Sequence, residues 1–528
     1  MKIRRLLIYD IDYKPLMNGV DLFFPKTEDS FIHANCFIGI NGSGKSQILE
    51  LIAEIFLYLD GLFRQENKNE KENSPFGFRI EYEILVETAK YLVIIDCEKT
   101  NLKKKEIIIE IINSGGESIA FEIDDFNKFL PSKVIGYTSG DNETLSLPFD
   151  LYYDEYAKYT ANRALNSIKF KEKYKDAVDY EPMLYFMNYN TNLGITISSL
   201  IFEDTHPTIA IIKKELQIKK LTSFTITIQT NQRNAPFYST KGDGGIKLTT
   251  ELELWKDKLI KCCPKAVQDE DDTKFKRWIL EYELDEVTIK LFKHHFNSPL
   301  ELYTALYKLE LLNNLIIKDD IVKKIKSDRK ERKLVTRMPM VSEDDKVLSY
   351  SELKLELENG SIVDYLSLSD GEHQFLNVFG TISMIGQDNC LFLLDEPETH
   401  FNPKWRRTFI STLKKLTDGR QQDMFITSHS PFVVSDTKKE NIFIFKREKD
   451  KINISEPSQE TYGASFDEIL KMAFDIKIPI SEDSLLFIQE LENSTDIDLI
   501  EKQIKELGES YELSSLHRRI EFLKSLNN

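Results

Sequence analysis

Metal-binding and disulfide chemistry are the first things this sequence has little material for. Its five cysteines, Cys36, Cys97, Cys262, Cys263 and Cys390, show no metal-ligand spacing, and the adjacent pair makes no zinc hook. Such usage suits a reducing cytosol. No apolar run approaches the ~20 residues of a membrane span. The opening Met1-Lys2-Ile3-Arg4-Arg5 leads into strand-like alternation rather than the apolar stretch of a signal peptide. The expectation is a cytoplasmic protein with no membrane partner. Basic charge is also in deficit: 70 Lys and Arg face 87 Asp and Glu, a formal charge of −17, so any nucleic-acid contact must come through a partner or a local patch. Internal repeats and long heptad runs are missing, which weighs against a coiled-coil arm.

What is present begins with length and apolar content. At 528 residues and 41% hydrophobic, the chain can hold two to four domains, or one core with a large insertion. The most informative stretch is Phe37-Ile-Gly-Ile-Asn-Gly-Ser-Gly-Lys-Ser46. A short apolar run, Cys36 to Ile40, enters it, and a helical pattern through Ile48, Leu49, Leu51, Ile52, Ile55 and Phe56 leaves it. Strand, G-x-x-x-x-G-K-S and helix form a phosphate loop. Gly39, Gly42 and Gly44 let the backbone close round a polyphosphate, and the N–H groups of Asn41, Ser43 and Gln47 belong to the same cradle. Lys45 supplies a point charge, and the Ser46 hydroxyl is a ligand for Mg²⁺. Chance produces glycine-rich turns, but seldom between this strand and this helix. A nucleoside triphosphate site is expected.

Strand patterns continue at Ile80–Val86, Tyr91–Ile95, Glu106–Ile112 and Lys133–Tyr137, after a polar loop at Gln65–Pro75. From about Asp150 to Asp345 helical periodicity dominates: Leu151–Phe170, Met183–Phe202, Leu248–Cys263 and Pro299–Ile317, with one strand-like stretch at Leu221–Gln229. A basic run, Lys323–Lys333, reads as a solvated helix end or as a nucleic-acid contact. Strands resume at Ser349–Leu357 and Ile362–Leu366, and Tyr462 onward reads as helices, with Asp496 and Asp498 on their solvated surface.

Three further motifs follow in order. Leu391-Phe-Leu-Leu-Asp395-Glu396 is an apolar strand ending in two carboxylates. Asp395 suits Mg²⁺, a hard cation, and Glu396 is placed to orient and activate water. Ser369-Asp-Gly371-Glu372 opens a helix; it is a capping box, with Gly371 allowing a close backbone approach. Met424–Ser428 is another strand, ending at His429, whose imidazole is placed to sense a γ-phosphate.

The order of phosphate loop, Leu368–Glu372 signature, Asp395-Glu396 and His429 resembles the ATP-binding-cassette ATPases. Within them it is similar to the soluble branch of RecF-type and overcoming-lysogeny-defect proteins, through Asp395-Glu-Pro-Glu-Thr-His400-Phe-Asn-Pro403 and Ser428-His-Ser-Pro-Phe432. The resemblance implies an α/β fold: an ABC-type P-loop ATPase head in two parts, 1–149 and 346–445, around a mainly helical insertion at 150–345, with a helical tail at 446–528. It further implies ATP and Mg²⁺ held by Lys45, Ser46 and Asp395, with Glu396 as general base and His429 as switch. Ser369, Gly371 and Glu372 would meet ATP on the other protomer of a head-to-tail dimer. No glutamine coupling loop is found; Tyr137–Glu143, with Ser139 or Asn142, is its expected position. The tail carries no Toprim nuclease pattern, so the likeness narrows to stand-alone ATPases of anti-phage and restriction operons, such as Septu systems, whose nuclease is a separate chain, often HNH-type. A RecF-like repair ATPase and a slow-turnover scaffold restraining a toxic effector are the rival readings.

Overall fold

The structure is a computed structural model of the chain. It describes residues 1–26, 34–63, 74–98, 107–140, 143–169, 179, 181–205, 208–231, 245–268, 277–330, 338–449, 451–476, 478 and 480–526. Two compact units divide it, Met1–Gly463 and Ala464–Asn528.

The first unit is organised by a seven-stranded sheet with the spatial order Ile452–Ser455, Ile442–Arg447, Ala34–Ile38, Asp423–Ser428, Cys390–Asp395, Lys133–Thr138, Leu184–Met187. All neighbours are parallel except the Ile452–Ser455 hairpin partner at one edge. Parallel strands are covered on both faces and so read as unbroken apolar runs. Leu391, Phe392, Leu393 and Leu394 are each 0% exposed, each contributing about 1.5–3 kcal/mol relative to exposure. Phe37 packs edge-on and tilted against Phe425, Phe443 and Phe445, locking the loop-bearing strand between its neighbours. Register does the rest. Ile38 lies opposite Ser428, Thr427 opposite Asp395, and Asp395 opposite Thr138, so four strands end level. In an open α/β sheet that carboxyl edge is where ligands bind.

A second, antiparallel sheet runs Asp21–Phe23, Lys2–Tyr9, Gly77–Val86, Ala89–Cys97, Ile107–Asn113. Asn389 fastens it to the central sheet, accepting the Leu85 N–H at 3.1 Å and donating to the Leu85 carbonyl at 2.6 Å. A third sheet, Lys265–Gln268, Arg277–Glu283, Ile218–Gln229, Leu348–Leu357, Ile362–Asp364, is also antiparallel. It pairs a strand from the 150–345 segment with the strands that follow 346. The helices of that segment include Glu143–Lys169, Tyr189–Ile201, Thr250–Lys261, Glu286–His295, Pro299–Leu311 and Asp319–Lys330. Thr249, Asp285 and Ser298 cap three of them by accepting N–H groups of the first turn.

One expected helix, Met183–Phe202, is wrong over its first turn: Leu184–Met187 is the edge strand of the central sheet, and the helix starts at Tyr189. Those four strand residues are all buried, and a short apolar run buried on both faces has no period to tell strand from helix. Strands Lys265–Gln268 and Arg277–Glu283 were not anticipated either. Gln65–Asn73, Asp141, Asn142, His206 and 331–333 of the basic run lie outside the described residues. The rest of that run ends helix Asp319–Lys330, where Lys326 pairs with Glu155 at 2.9 Å.

In the second unit, helices Glu482–Asn493, Ile497–Gln503 and Tyr511–Leu526 close over Ile488, Leu491, Ile500, Ile504, Leu516 and Ile520, preceded by helix Phe466–Ala473. Asp496, expected as plain surface, caps its third helix by accepting the Leu499 N–H. Among the described residues no helix is long and apolar enough to cross a membrane.

Candidate active site

The phosphate loop leaves Ile38, turns through six residues and enters helix Lys45–Phe63 at Lys45. Gly39 cannot be replaced here: its φ is 151°, and a Cβ would lie 2.4 Å from the Phe445 carbonyl oxygen. Asn41 and Gly42 form the exposed tip, and Gln47 is half-buried in the first helical turn. Among the described residues the buried Ser43 hydroxyl has no bonding partner. Lys45 is only 4% exposed, and its ammonium donates to the Gly39 carbonyl at 2.8 Å and the Ile40 carbonyl at 3.3 Å. Burial lowers the Lys45 pKa, and the carboxylates of Glu396 and Asp395 oppose that shift.

Across the sheet edge, Asp395 is 3% exposed and receives three hydroxyls. Ser46 and Thr427 donate to Oδ1 at 2.7 and 2.6 Å, and Thr138 donates to Oδ2 at 3.2 Å. These are hard oxygen donors of the kind Mg²⁺ prefers. Together with the orphaned Ser43 hydroxyl, the loop whose Gly39 admits no Cβ and the inward Lys45, the donor set fits a Mg²⁺-bound polyphosphate.

Glu396 follows with φ 50°, left-handed for a non-glycine residue. Its N–H is held by the Thr427 carbonyl at 3.2 Å and the Thr427 hydroxyl at 3.0 Å. Such strain costs about 1–3 kcal/mol and persists where surroundings fix it. The turn aims the carboxylate at His429: Oε1 lies 3.2 Å from Nε2, which lies 3.0 Å from the Lys45 ammonium. The bond to His429 is the main cause holding Glu396 below the usual carboxylate range, against its partial burial. So the structure brings Lys45, Ser46, Asp395, Glu396 and His429 together.

The fold is that of a P-loop ATPase head.

Comparison with known proteins finds partial likenesses. A family profile described as "AAA domain, putative AbiEii toxin, Type IV TA system" matches residues 272–435. Protein ea59 of Escherichia phage lambda is 28% identical over 137 residues, 26% of this chain and 26% of that protein. Retron Vc95 probable ATPase of Vibrio cholerae serotype O1 biovar El Tor is 23% identical over 176 residues, 31% of this chain and 33% of that protein. The matches thus span a third or less of these relatives. Among solved structures, the SMC head domain from Thermotoga maritima covers 87% of this chain and 100% of that one, at 9% identity and a TM-score of 0.32. The recombination mediator protein RecF covers 86% and 97%, at 12% identity and a TM-score of 0.32. At those scores the fold of this ATPase head rests on its own strand order and loop geometry.

The signature residues bond among themselves. Ser369 and Glu372 bond each other in a capping box at the start of helix Asp370–Met384, and among the described residues no bond joins them to the phosphate loop. Gly371 lies against the loop after Glu396, where a Cβ would meet the His400 carbonyl oxygen at 2.6 Å. Gln374, one turn on, accepts the His400 N–H at 2.9 Å.

Several functional neighbours escaped sequence reasoning. Thr138 and Thr427 look like ordinary strand-end threonines; only register places their hydroxyls on Asp395. Ser139, expected at the coupling position, donates its N–H to the Asp395 carbonyl at 3.1 Å. Glu398, also 3% exposed, accepts a short hydrogen bond from Ser428, while its buried Oε2 has no partner among the described residues. Burial raises its pKa to about 7. Its signal was its spacing: two residues beyond Glu396, immediately after a proline.

Proposed function

We propose that this chain is an ATP-hydrolysing ABC-type subunit of a bacterial anti-phage or restriction system. It dimerises head to tail around ATP and controls a separate nuclease, as in Septu-like operons, while cutting nothing itself. The observation that carries the hydrolytic part is the convergence of Lys45, Glu396 and His429 beside the Ser46–Asp395 pair. The likeness to a retron ATPase supports the defence setting. In this reading the loop amides and Lys45 bind the polyphosphate, and Ser46 and Asp395 hold Mg²⁺, which supplies charge neutralisation on phosphate oxygens. Glu396, kept ionised by its neighbours, orients water and takes its proton. His429 turns from Lys45 toward the transferred group. Ser369, Gly371 and Glu372 complete the partner's site.

The likeness of residues 272–435 to a domain described as a putative toxin of a toxin–antitoxin system supports one second reading, a slow-turnover ATP-bound scaffold that restrains a toxic effector. Rate separates the two. Glu396→Gln should keep ATP affinity and lose turnover by about a hundredfold or more, whereas Lys45→Ala should lose ATP binding. A Glu396→Gln variant hydrolysing at the parent rate, or a Lys45→Ala variant with parent affinity, would sink the assignment.

A further inference from the structure

Glu396 is held at both ends of its residue. Thr427 takes its N–H, and Thr399 takes its carbonyl oxygen: the Thr399 N–H donates to it at 3.2 Å and the Thr399 hydroxyl at 3.0 Å. That hydroxyl also lies 3.4 Å from Glu396 Oε2. A hydroxyl has one proton but two acceptor lone pairs, so while donating to Glu396 it can still accept. It accepts from the Ser139 hydroxyl at 3.3 Å. Ser139 stands where strand Lys133–Thr138 ends, just ahead of helix Glu143–Lys169. On its far side, the carbonyl of Thr399 accepts from Arg406 at 2.5 Å, and the next residue, His400, is bonded to Gln374 of the signature helix.

We propose that Thr399 is a positioning residue: its N–H and hydroxyl hold the Glu396 carbonyl, and with it the left-handed turn that aims the carboxylate, and Ser139 makes that grip answer to the helix entering the 150–345 segment. The inference rests on the hydrolytic reading for its catalytic consequence, but not for its structural one. Hydroxyls do here what a glutamine side chain was expected to do. A left-handed Glu396 is not self-sustaining, because an L-residue prefers to leave that region unless neighbours over-determine it. Thr399 is itself exposed, so its replacement leaves the core untouched.

The test compares Thr399→Val, which keeps shape and loses the hydroxyl, with Thr399→Ser, which keeps the hydroxyl. Three quantities are read: ATP turnover, affinity for a fluorescent ATP analogue, and amide exchange of the peptide covering 396–401 in the nucleotide-free protein. Thr399→Val should lower kcat by about twofold to tenfold, as expected for a lost neutral hydrogen bond, with affinity unchanged and exchange of 396–401 faster. Thr399→Ser should stay near the parent in all three. Ser139→Ala should lower kcat less, and should add nothing in the Thr399→Val background, since the two act in series. Parent-like turnover and exchange in Thr399→Val would overturn the proposal, as would equal losses in Val and Ser variants. An additive Ser139→Ala effect would overturn its second half. If the parent chain shows no hydrolysis, the proposed function falls, and the exchange of 396–401 alone still decides whether Thr399 holds Glu396.

Discussion

At His429, Nε2 lies 3.0 Å from the Lys45 ammonium and 3.2 Å from Glu396 Oε1, and an imidazole nitrogen serves only one of these at a time. Accepting from Lys45 requires the lone pair; donating to Glu396 requires the proton. A ligand that draws Lys45 away would therefore free this nitrogen from its competing partner, as the proposed turn of His429 toward the transferred group requires. Beside it, Glu398 fixes the turn that carries His429, because Ser428 donates to Glu398 and accepts the Ser430 N–H at 2.9 Å. Burial is the main reason its pKa rises from 4.5 to about 7, with Glu396 adding to the shift and Ser428 and Arg406 opposing it. The sign follows. Below the ordinary value the proton is bound folded or unfolded; between there and about 7 only the folded state holds it, so stability falls as pH rises through that window. Glu398→Gln, which cannot titrate, should flatten that part of the decline in unfolding midpoint between about pH 5 and pH 8. An unchanged slope would show that Glu398 does not titrate there.

Helix Asp370–Met384 meets the 396–401 loop through Gly371 and Gln374 and packs its Phe375 and Phe379 rings on Phe401, Trp405 and Phe409. Gly371→Ala places a methyl against a backbone carbonyl, which no rotamer relieves, so the helix start must move. A cost of about 1–3 kcal/mol is expected. The melting temperature should drop by about one to three degrees, while ATP affinity of the monomer at Lys45 stays at the parent value. A variant that melts like the parent would mean the helix start is already loose. What the sequence made legible at this level were the strands that end in chemistry, because a parallel strand buried on both faces and stopped by a polar motif is distinctive: Cys36–Ile40, Leu391–Asp395, Met424–Ser428. Less visible was the pairing. Leu221–Gln229 read as strand, but nothing local says that the strand it belongs to, Ile218–Gln229, joins Leu348–Leu357 across more than a hundred residues. Nor does a hydroxyl announce its partner: Ser46, Thr138 and Thr427 converge on Asp395 only once four strands are in register. Leu184–Met187, apolar throughout, offered no period at all.

Two copies of a chain with formal charge −17 repel one another, so an ATP-held dimer must close on apolar and backbone contacts rather than on its general field. The exposed pieces are suitable. The phosphate loop presents Ile40, 58% exposed, and the approach to the signature presents Ile362 and Leu366, 64% and 68% exposed. Such an interface should survive rising salt, since screening relieves repulsion between like-charged copies. An assembly bridged by nucleic acid should do the reverse, loosening steeply as counterions compete. Native mass measured on Glu396→Gln with ATP should therefore double, and should remain doubled when salt is raised from about 50 mM to about 300 mM, where the Debye length falls well below protein dimensions. Lys45→Ala should stay monomeric, and Leu366→Asp should stay monomeric with parent ATP affinity. Doubling that needs DNA and collapses with salt would move the assignment to a repair ATPase. Doubling without ATP would remove the nucleotide from the interface. If the salt-resistant dimer forms, a tagged chain recovered from its native operon should bring its nuclease down in fixed proportion to the doubled mass, and a chain that comes down alone would leave the head without the effector it is proposed to control.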